Sequence, residues 1–164
     1  MYRAAPLAAA LALLLALTAC GASDDEKAAD AVAQSLMQDR DEAFRVSREQ
    51  ADCVGAGFVD RIGVEKLQEY GVITDDLSAS DTVNVKMPKA DAEAAAAVLV
   101  DCTDAAQLFR DEVFSGQDVP DEAQECLDGA LTDDVVEAFF AATFSQDQAA
   151  AAEAMAPLQE CMTG

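Results

Sequence analysis

The spacing of apolar residues predicts a helical chain, and the clearest case follows Thr132. Apolar side chains recur there at intervals of three and four, which places them on one face of a helix. Thr132 is a favoured helix N-cap, and the acids at 133 and 134 suit the positive end of the helix dipole. We predict a helix from Thr132 with a buried apolar stripe made of Val135, Val136, Phe139, Phe140 and Phe144.

Similar patterns predict helices over most of the remaining chain. Gly71 is expected to end one helix, because glycine adopts the left-handed conformation of helix ends without strain. Pro88 suits the start of another, where a backbone N–H would have no partner in any case. The predicted helices cover residues 28–38, 47–60, 64–70, 88–102, 103–114, 120–130 and, after a turn near 145–147, a last stretch that ends at Cys161.

The composition favours the same all-α fold. Alanine loses no side-chain entropy on entering a helix, and several segments are rich in it. The chain has no tryptophan and only seven phenylalanines, so its core must depend on Leu, Val, Ile and Ala. Its length corresponds to one ordinary domain.

The charge balance is strongly acidic, with 32 Asp and Glu against 10 Lys and Arg. From Asp111 to Gly164 there is no Lys or Arg at all. Such a surface repels phosphate backbones and attracts cations, so we predict no nucleic-acid binding. The simplest interpretation is that these carboxylates keep helix surfaces solvated.

The sequence contains few of the residues and motifs that are typical of catalytic sites. The chain has no histidine, the commonest general base and metal ligand. It has no phosphate-binding loop, and its acids lack the spacing of a calcium-binding loop. We predict no enzyme activity, no cofactor and no metal site. A carboxylate-based hydrolase, using a pair such as Asp133 with Glu137, is the less favoured alternative.

The pattern of the first twenty residues predicts a targeting signal. Arg3 precedes an uninterrupted apolar run, Leu7–Leu17, that is too short to remain as a membrane span. The run closes on Leu17-Thr18-Ala19-Cys20, which resembles the lipobox of bacterial lipoproteins. With its acidic, alanine-rich helices and four spaced cysteines, the chain is similar to the small secreted lipoproteins of high-GC Gram-positive bacteria.

This resemblance implies a cellular location and a domain organisation. Residues 1–19 would be a lipoprotein signal peptide, and Cys20 would be the lipidated first residue at the extracytoplasmic face of the cell membrane. Residues 20–27 would form a flexible tether, and 28–164 a single all-helical domain. Ordinary secretion, with Cys20 as a free thiol, is the alternative.

Four cysteines remain after Cys20, and an even number outside the cytoplasm predicts two disulfides. Zinc sites usually bring cysteines in close pairs, which this chain does not have. A shift of 73 residues aligns Cys53 with Cys126 and indicates a repeat of two units, about 28–102 and 103–161. Repeat equivalence and hairpin geometry favour the pairs Cys53–Cys102 and Cys126–Cys161. The rival pairing joins Cys102 to Cys126 and Cys53 to Cys161.

Residues 73–89 are the largest difference between the two units. Val83, Val85 and Met87 alternate there with polar residues, which predicts a short extended segment. The segment is most simply a loop, but it is also where we first expect a specific role.

The sequence therefore predicts an all-α, disulfide-braced helical bundle made of two tandem related units. Its favoured function is that of a membrane-anchored, non-catalytic binding module. Its partners would be the membrane, through lipid on Cys20, and an unidentified extracytoplasmic protein or small ligand. A structural envelope lipoprotein without a specific ligand is the alternative.

Overall fold

The computed structural model describes residues 22–38, 46–80, 85–114 and 120–163, and within these ranges the fold is all-α as predicted. The described residues contain no β-strand, and one isolated antiparallel bridge joins Ile73 to Ala79. The described helices are α1 (Asp24–Gln38), α2 (Arg48–Arg61), α3 (Val64–Glu69), α4 (Lys89–Cys102), α5 (Ala105–Phe114), α6 (Asp121–Ala130), α7 (Asp133–Ser145), α8 (Gln148–Ala154) and α9 (Ala156–Thr163).

Five of these helices form a row in which α1 packs on α2, α2 on α4, α4 on α7 and α7 on α8. Glycines on α2 permit close packing on both of its sides. A Cβ at Gly55 would collide with the backbone carbonyl of Ala29 in α1. A Cβ at Gly57 would lie 2.6 Å from Cγ1 of Val98 in α4. The small residues of α2 thus let it fit between its two neighbours.

Two hydrophobic clusters stabilise the described part of the chain. The larger one lies among α1, α2, α3 and α4 and contains the fully buried Val54, Leu67 and Ile73. The smaller one joins α5, α6, α7 and α9 around Leu127, Val136 and Leu158. Burial of such side chains contributes about 1.5–3 kcal/mol each relative to exposure.

The aromatic stripe of α7, which consists of Phe139, Phe140 and Phe144, connects these two clusters. Phe140 packs against both of them, and Phe144 packs against the larger one. The ring centroids are 5.4 Å apart between Phe109 and Phe139, 5.8 Å between Phe139 and Phe140, and 6.1 Å between Phe140 and Phe144. These separations are typical of favourable aromatic pairs. All three rings of the stripe are half-buried, and Phe140 and Phe144 pack against the core as predicted.

The first helix begins four residues earlier than predicted, so the tether assigned to 20–27 is wrong for residues 24–27. Ser23 and Glu26 form a capping box, in which Glu26 N–H donates to Ser23 Oγ at 3.1 Å and Ser23 N–H donates to the Glu26 carboxylate at 2.7 Å. The acids at 24–26 also suit the positive end of the helix dipole. Residues 20 and 21 lie outside the described residues.

The last predicted helix is in fact two helices, α8 and α9, separated at Met155. Pro157 accounts for the break, because it has no N–H to donate to the carbonyl of Glu153 and its ring crowds that carbonyl. The fifth helix also begins later than predicted. Thr103 is the C-cap of α4, and its Oγ donates to the Leu99 carbonyl at 2.7 Å.

The extended segment predicted at 83–87 falls partly outside the described residues. Its described part, from Val85 onward, is irregular and contains no strand. Met87 is buried, and its N–H donates to the carbonyl of Phe144 at the end of α7. That bond fixes residue 87 to α7, a helix, instead of pairing it with a neighbouring strand.

The tandem relation between the two units stays a prediction. Each unit encloses one disulfide and most of one hydrophobic cluster. Their helices differ in length at equivalent places, since α3 has 6 residues and α7 has 13. In addition, α7 packs on α4 of the first unit.

Candidate functional site

Four of the five predicted cysteine sites lie in the described chain, and Cys20 lies outside it. Cys53 of α2 is bonded to Cys102 at the end of α4, and Cys126 of α6 is bonded to Cys161 of α9. The Cα atoms are 5.6 Å apart in both bonds. The structure therefore contains the predicted pairing. One disulfide ties α2 to α4, and the other ties α6 to α9.

A polar cluster fixes the start of α4. The Asp91 carboxylate accepts hydrogen bonds from Tyr70 Oη at 2.6 Å and from Lys66 Nζ at 3.0 Å. These two donors lower the pKa of Asp91. The hydrogen bond to Asp91, with a further contribution from burial, raises the pKa of Tyr70 to about 12. Because the donors come from α3 and its C-cap, the cluster joins α3 to the first turn of α4.

An open groove of about 830 Å³ lies between the start of α4, one face of α7 and α8. Five of its thirteen lining residues are alanines, whose small side chains leave the helix backbones close to the surface. We call it the acidic groove and the following alanines its floor: Ala138, Ala141 and Ala142 of α7, and Ala150 and Ala154 of α8.

Five carboxylates and one ammonium group line the acidic groove. The acids are on all three helices or their caps, and they are Glu93, Asp134, Glu137, Asp147 and Glu153. The one cation is Lys89, whose Nζ lies 3.8 Å from the Glu93 carboxylate. Asp147 is the N-cap of α8 and accepts from Ala150 N–H at 3.0 Å. The net charge of the lining is therefore negative.

Four of the five acids have no cationic partner in the described chain, and three of these four accept no hydrogen bond either. None of its ion pairs includes Asp134, Glu137 or Glu153. By contrast, Asp91, whose side chain is only 15% exposed, is paired with Lys66 at 3.0 Å. Like charges around a concavity add their potentials and concentrate counter-ions there. The acidic groove is thus suited to hold a cation.

The lining offers binding chemistry and no recognisable catalytic constellation. Ser145 is its only hydroxyl among the described lining residues, and Ser145 Oγ donates to the Ala142 carbonyl at 3.1 Å. Of the acid pair predicted for a hydrolase, Glu137 lines the acidic groove and Asp133 does not. Of the described residues of the 73–89 connector, Met87 and Lys89 at its end reach the lining.

The acidic groove is the feature that sequence reasoning missed. Its signal is the second face of α7, where Asp134, Glu137, Ala138, Ala141 and Ser145 recur at helical spacing between the residues of the aromatic stripe. That pattern is typical of a solvated helix face. Only the positions of α8 and the start of α4 make it concave.

None of the described helices combines the length and the apolar composition that crossing a bilayer requires. Across residues 22–38, 46–80, 85–114 and 120–163, no three acidic, cysteine or histidine side chains are grouped so as to hold a metal ion. Comparison with family models, curated proteins and solved structures finds no match to this chain.

Proposed function

We propose that this protein is a membrane-anchored, extracytoplasmic lipoprotein that binds a cationic ligand in the acidic groove and catalyses no reaction. The observation that carries the proposal is the set of three unpaired carboxylates, Asp134, Glu137 and Glu153, around a floor of alanines. A bound cation relieves their mutual repulsion, and the floor accepts apolar atoms of the same ligand.

The cysteines support the extracytoplasmic part of the proposal. Two disulfides are compatible with an oxidising compartment and are rare in a reducing one. The resemblance of Leu17-Thr18-Ala19-Cys20 to a lipobox supports anchoring through Cys20.

The order of the helix row supports a tethered binding module. The helix α1 follows the proposed anchor in sequence and lies at one edge of the row, whereas α8 lies at the other. The acidic groove is built from α4, α7 and α8, away from α1. A chain anchored ahead of α1 therefore leaves the acidic groove free for a ligand.

Binding is tested with a fluorescent hexalysine peptide and a hexaglutamate peptide, by anisotropy at low and moderate salt. We expect hexalysine to bind and hexaglutamate not to bind. The affinity for hexalysine should fall as the salt concentration rises. The variant Asp134→Asn/Glu137→Gln should weaken binding about tenfold, because it removes two attractive charges. The matched control Glu122→Gln/Glu125→Gln changes two exposed acids of α6 by the same charge and should have little effect. Equal effects of both variants would refute the acidic groove as the site.

Anchoring is tested by labelling cells with radioactive palmitate. The wild type should carry the label and remain in the membrane fraction, and Cys20→Ser should lose both. A Gly21→Ala variant keeps the Cys20 thiol and should behave as the wild type. Unlabelled, released wild-type protein would show that Cys20 is not an anchor.

A further inference from the structure

We infer that the ligand of the acidic groove is a basic amphipathic helix of a partner protein, with Lys or Arg side chains on both sides of an apolar stripe. The inference rests on the proposed function and names the chemistry of the partner. It depends on the shape of the floor and on the distribution of charge around it.

The floor has the form of a helix-packing surface. Ala138, Ala141 and Ala142 follow the spacing of three and four along α7, and Ala150 and Ala154 are one turn apart on α8. Side chains as small as alanine allow a third helix to approach at the short end of the usual interaxial distance, about 8 Å. The lining on α7 runs from Asp134 to Ser145, a length of about 16 Å at 1.5 Å per residue. A segment of three helical turns matches that length.

The charges lie on both sides of this floor. Glu93 is on α4 at one side, Glu153 is on α8 at the other, and Asp134 and Glu137 are on α7 between them. A helix seated along the floor would meet carboxylates on both flanks of its apolar stripe. Basic residues on those flanks are therefore the complementary pattern.

The same charges exclude several other occupants. A second copy of this chain carries a net charge of −22 and would be repelled. Anionic lipid headgroups would be repelled likewise. A polyamine would satisfy the carboxylates but would leave the alanine floor without an apolar partner. An amphipathic helix uses both features of the acidic groove.

The test uses the oxidised protein and three probes at one ionic strength. The first probe is a 15-residue helical peptide with a Leu/Ala stripe flanked by lysines, the second is its scrambled isomer of equal charge, and the third is spermine. We expect the helical peptide to bind at least tenfold more tightly than the scrambled isomer. The helix content of the peptide, measured by circular dichroism, should rise on binding.

Two variants separate shape from charge. Ala138 is exposed on the floor, so Ala138→Leu fills the floor without entering the core or changing the charge. This variant should bind the helical peptide about tenfold more weakly, which corresponds to about 1.4 kcal/mol. Its affinity for spermine should not change. The variant Asp134→Asn/Glu137→Gln should bind all three probes more weakly. Glu122→Gln/Glu125→Gln is the control.

The outcomes distinguish this inference from the proposed function. If both peptides bind equally and Ala138→Leu has no effect, the helix inference is overturned, while cation binding by the acidic groove stands. If Asp134→Asn/Glu137→Gln also leaves every probe unaffected, the proposed function fails together with the inference.

Discussion

The Cα hydrogen of Gly55 occupies the place where any other residue would direct a side chain at the Ala29 carbonyl. Gly55→Ala should therefore push α1 away from α2 and lower the free energy of unfolding by about 3 kcal/mol, the upper part of the usual range for overpacking. Gly129→Ala in α6 is the matched control, because no atom lies within 4 Å of the added Cβ. It should stabilise the protein by about 0.5–1 kcal/mol. Urea unfolding measures both, and equal effects would contradict the close approach.

Tyr70 gives a prediction for alkaline pH. Its pKa is raised from 10.0 to about 12 in the fold. The fold thus holds this proton more tightly than the unfolded chain does, so the stabilisation is complete below pH 10 and is lost as the pH rises to 12. Tyr70→Phe should be less stable than the wild type at neutral pH, and the difference should shrink between pH 10 and 12. A difference that stays constant over this interval would contradict the Tyr70–Asp91 hydrogen bond.

Asp91 has the opposite dependence. Its pKa is lowered by Tyr70 and Lys66, so its contribution is present above the pKa of the unfolded carboxyl, about 4, and is lost as the pH falls through the lowered folded value. The Asp91→Asn variant should be less stable than the wild type at neutral pH. The difference in stability should shrink as the pH falls. Thermal unfolding from pH 7 to pH 2 checks this, and parallel curves for the two proteins would contradict it.

At the scale of elements, α7 is the helix whose start the sequence predicts best. Thr132 is its N-cap, and Thr132 Oγ accepts from Val135 N–H at 3.4 Å. Thr132→Ala should cost about 1 kcal/mol. Thr143→Ala, at an exposed position inside the same helix, should be neutral or slightly stabilising, because alanine is the better helix former. Chemical unfolding of both variants tests the cap, and equal losses would argue against it.

Helix identity was predictable where apolar spacing, capping residues and glycine agreed. Gly71 has a φ of 72° and follows α3 as expected. The errors fall where two signals compete. The acids at 24–26 are typical of a solvated tether, although Ser23 and Glu26 cap a helix there. The alanine run before Pro157 concealed the break between α8 and α9.

At the scale of the whole molecule, the two disulfides brace different parts. The Cys53–Cys102 bond lies in the helix row, whereas Cys126–Cys161 joins α6 and α9, which pack together in the smaller cluster. Cys126→Ala/Cys161→Ala should lower the free energy of unfolding by about 3–4 kcal/mol in the chain-entropy model. Hydrogen exchange should quicken first in α6 and α9, with α1, α2 and α4 still protected.

The control for that prediction is Cys53→Ala/Cys102→Ala, which should instead expose α2 and α4 to exchange. Uniform loss of protection in both variants would show that the chain opens as one unit. The cysteine pairs themselves were predictable, Cys126–Cys161 from hairpin geometry and Cys53–Cys102 from the equivalence of the two proposed units. The acidic groove was not, because its concavity depends on where α8 sits beside α7.

Binding in the acidic groove can be located residue by residue with a chemical-shift map. Isotope-labelled protein is titrated with the basic amphipathic peptide, and amide shifts are followed along the chain. We expect shifts in α7, in α8 and at the start of α4, with α1 and α6 unchanged. Shifts spread over the acids of α6, or confined to α1, would contradict it.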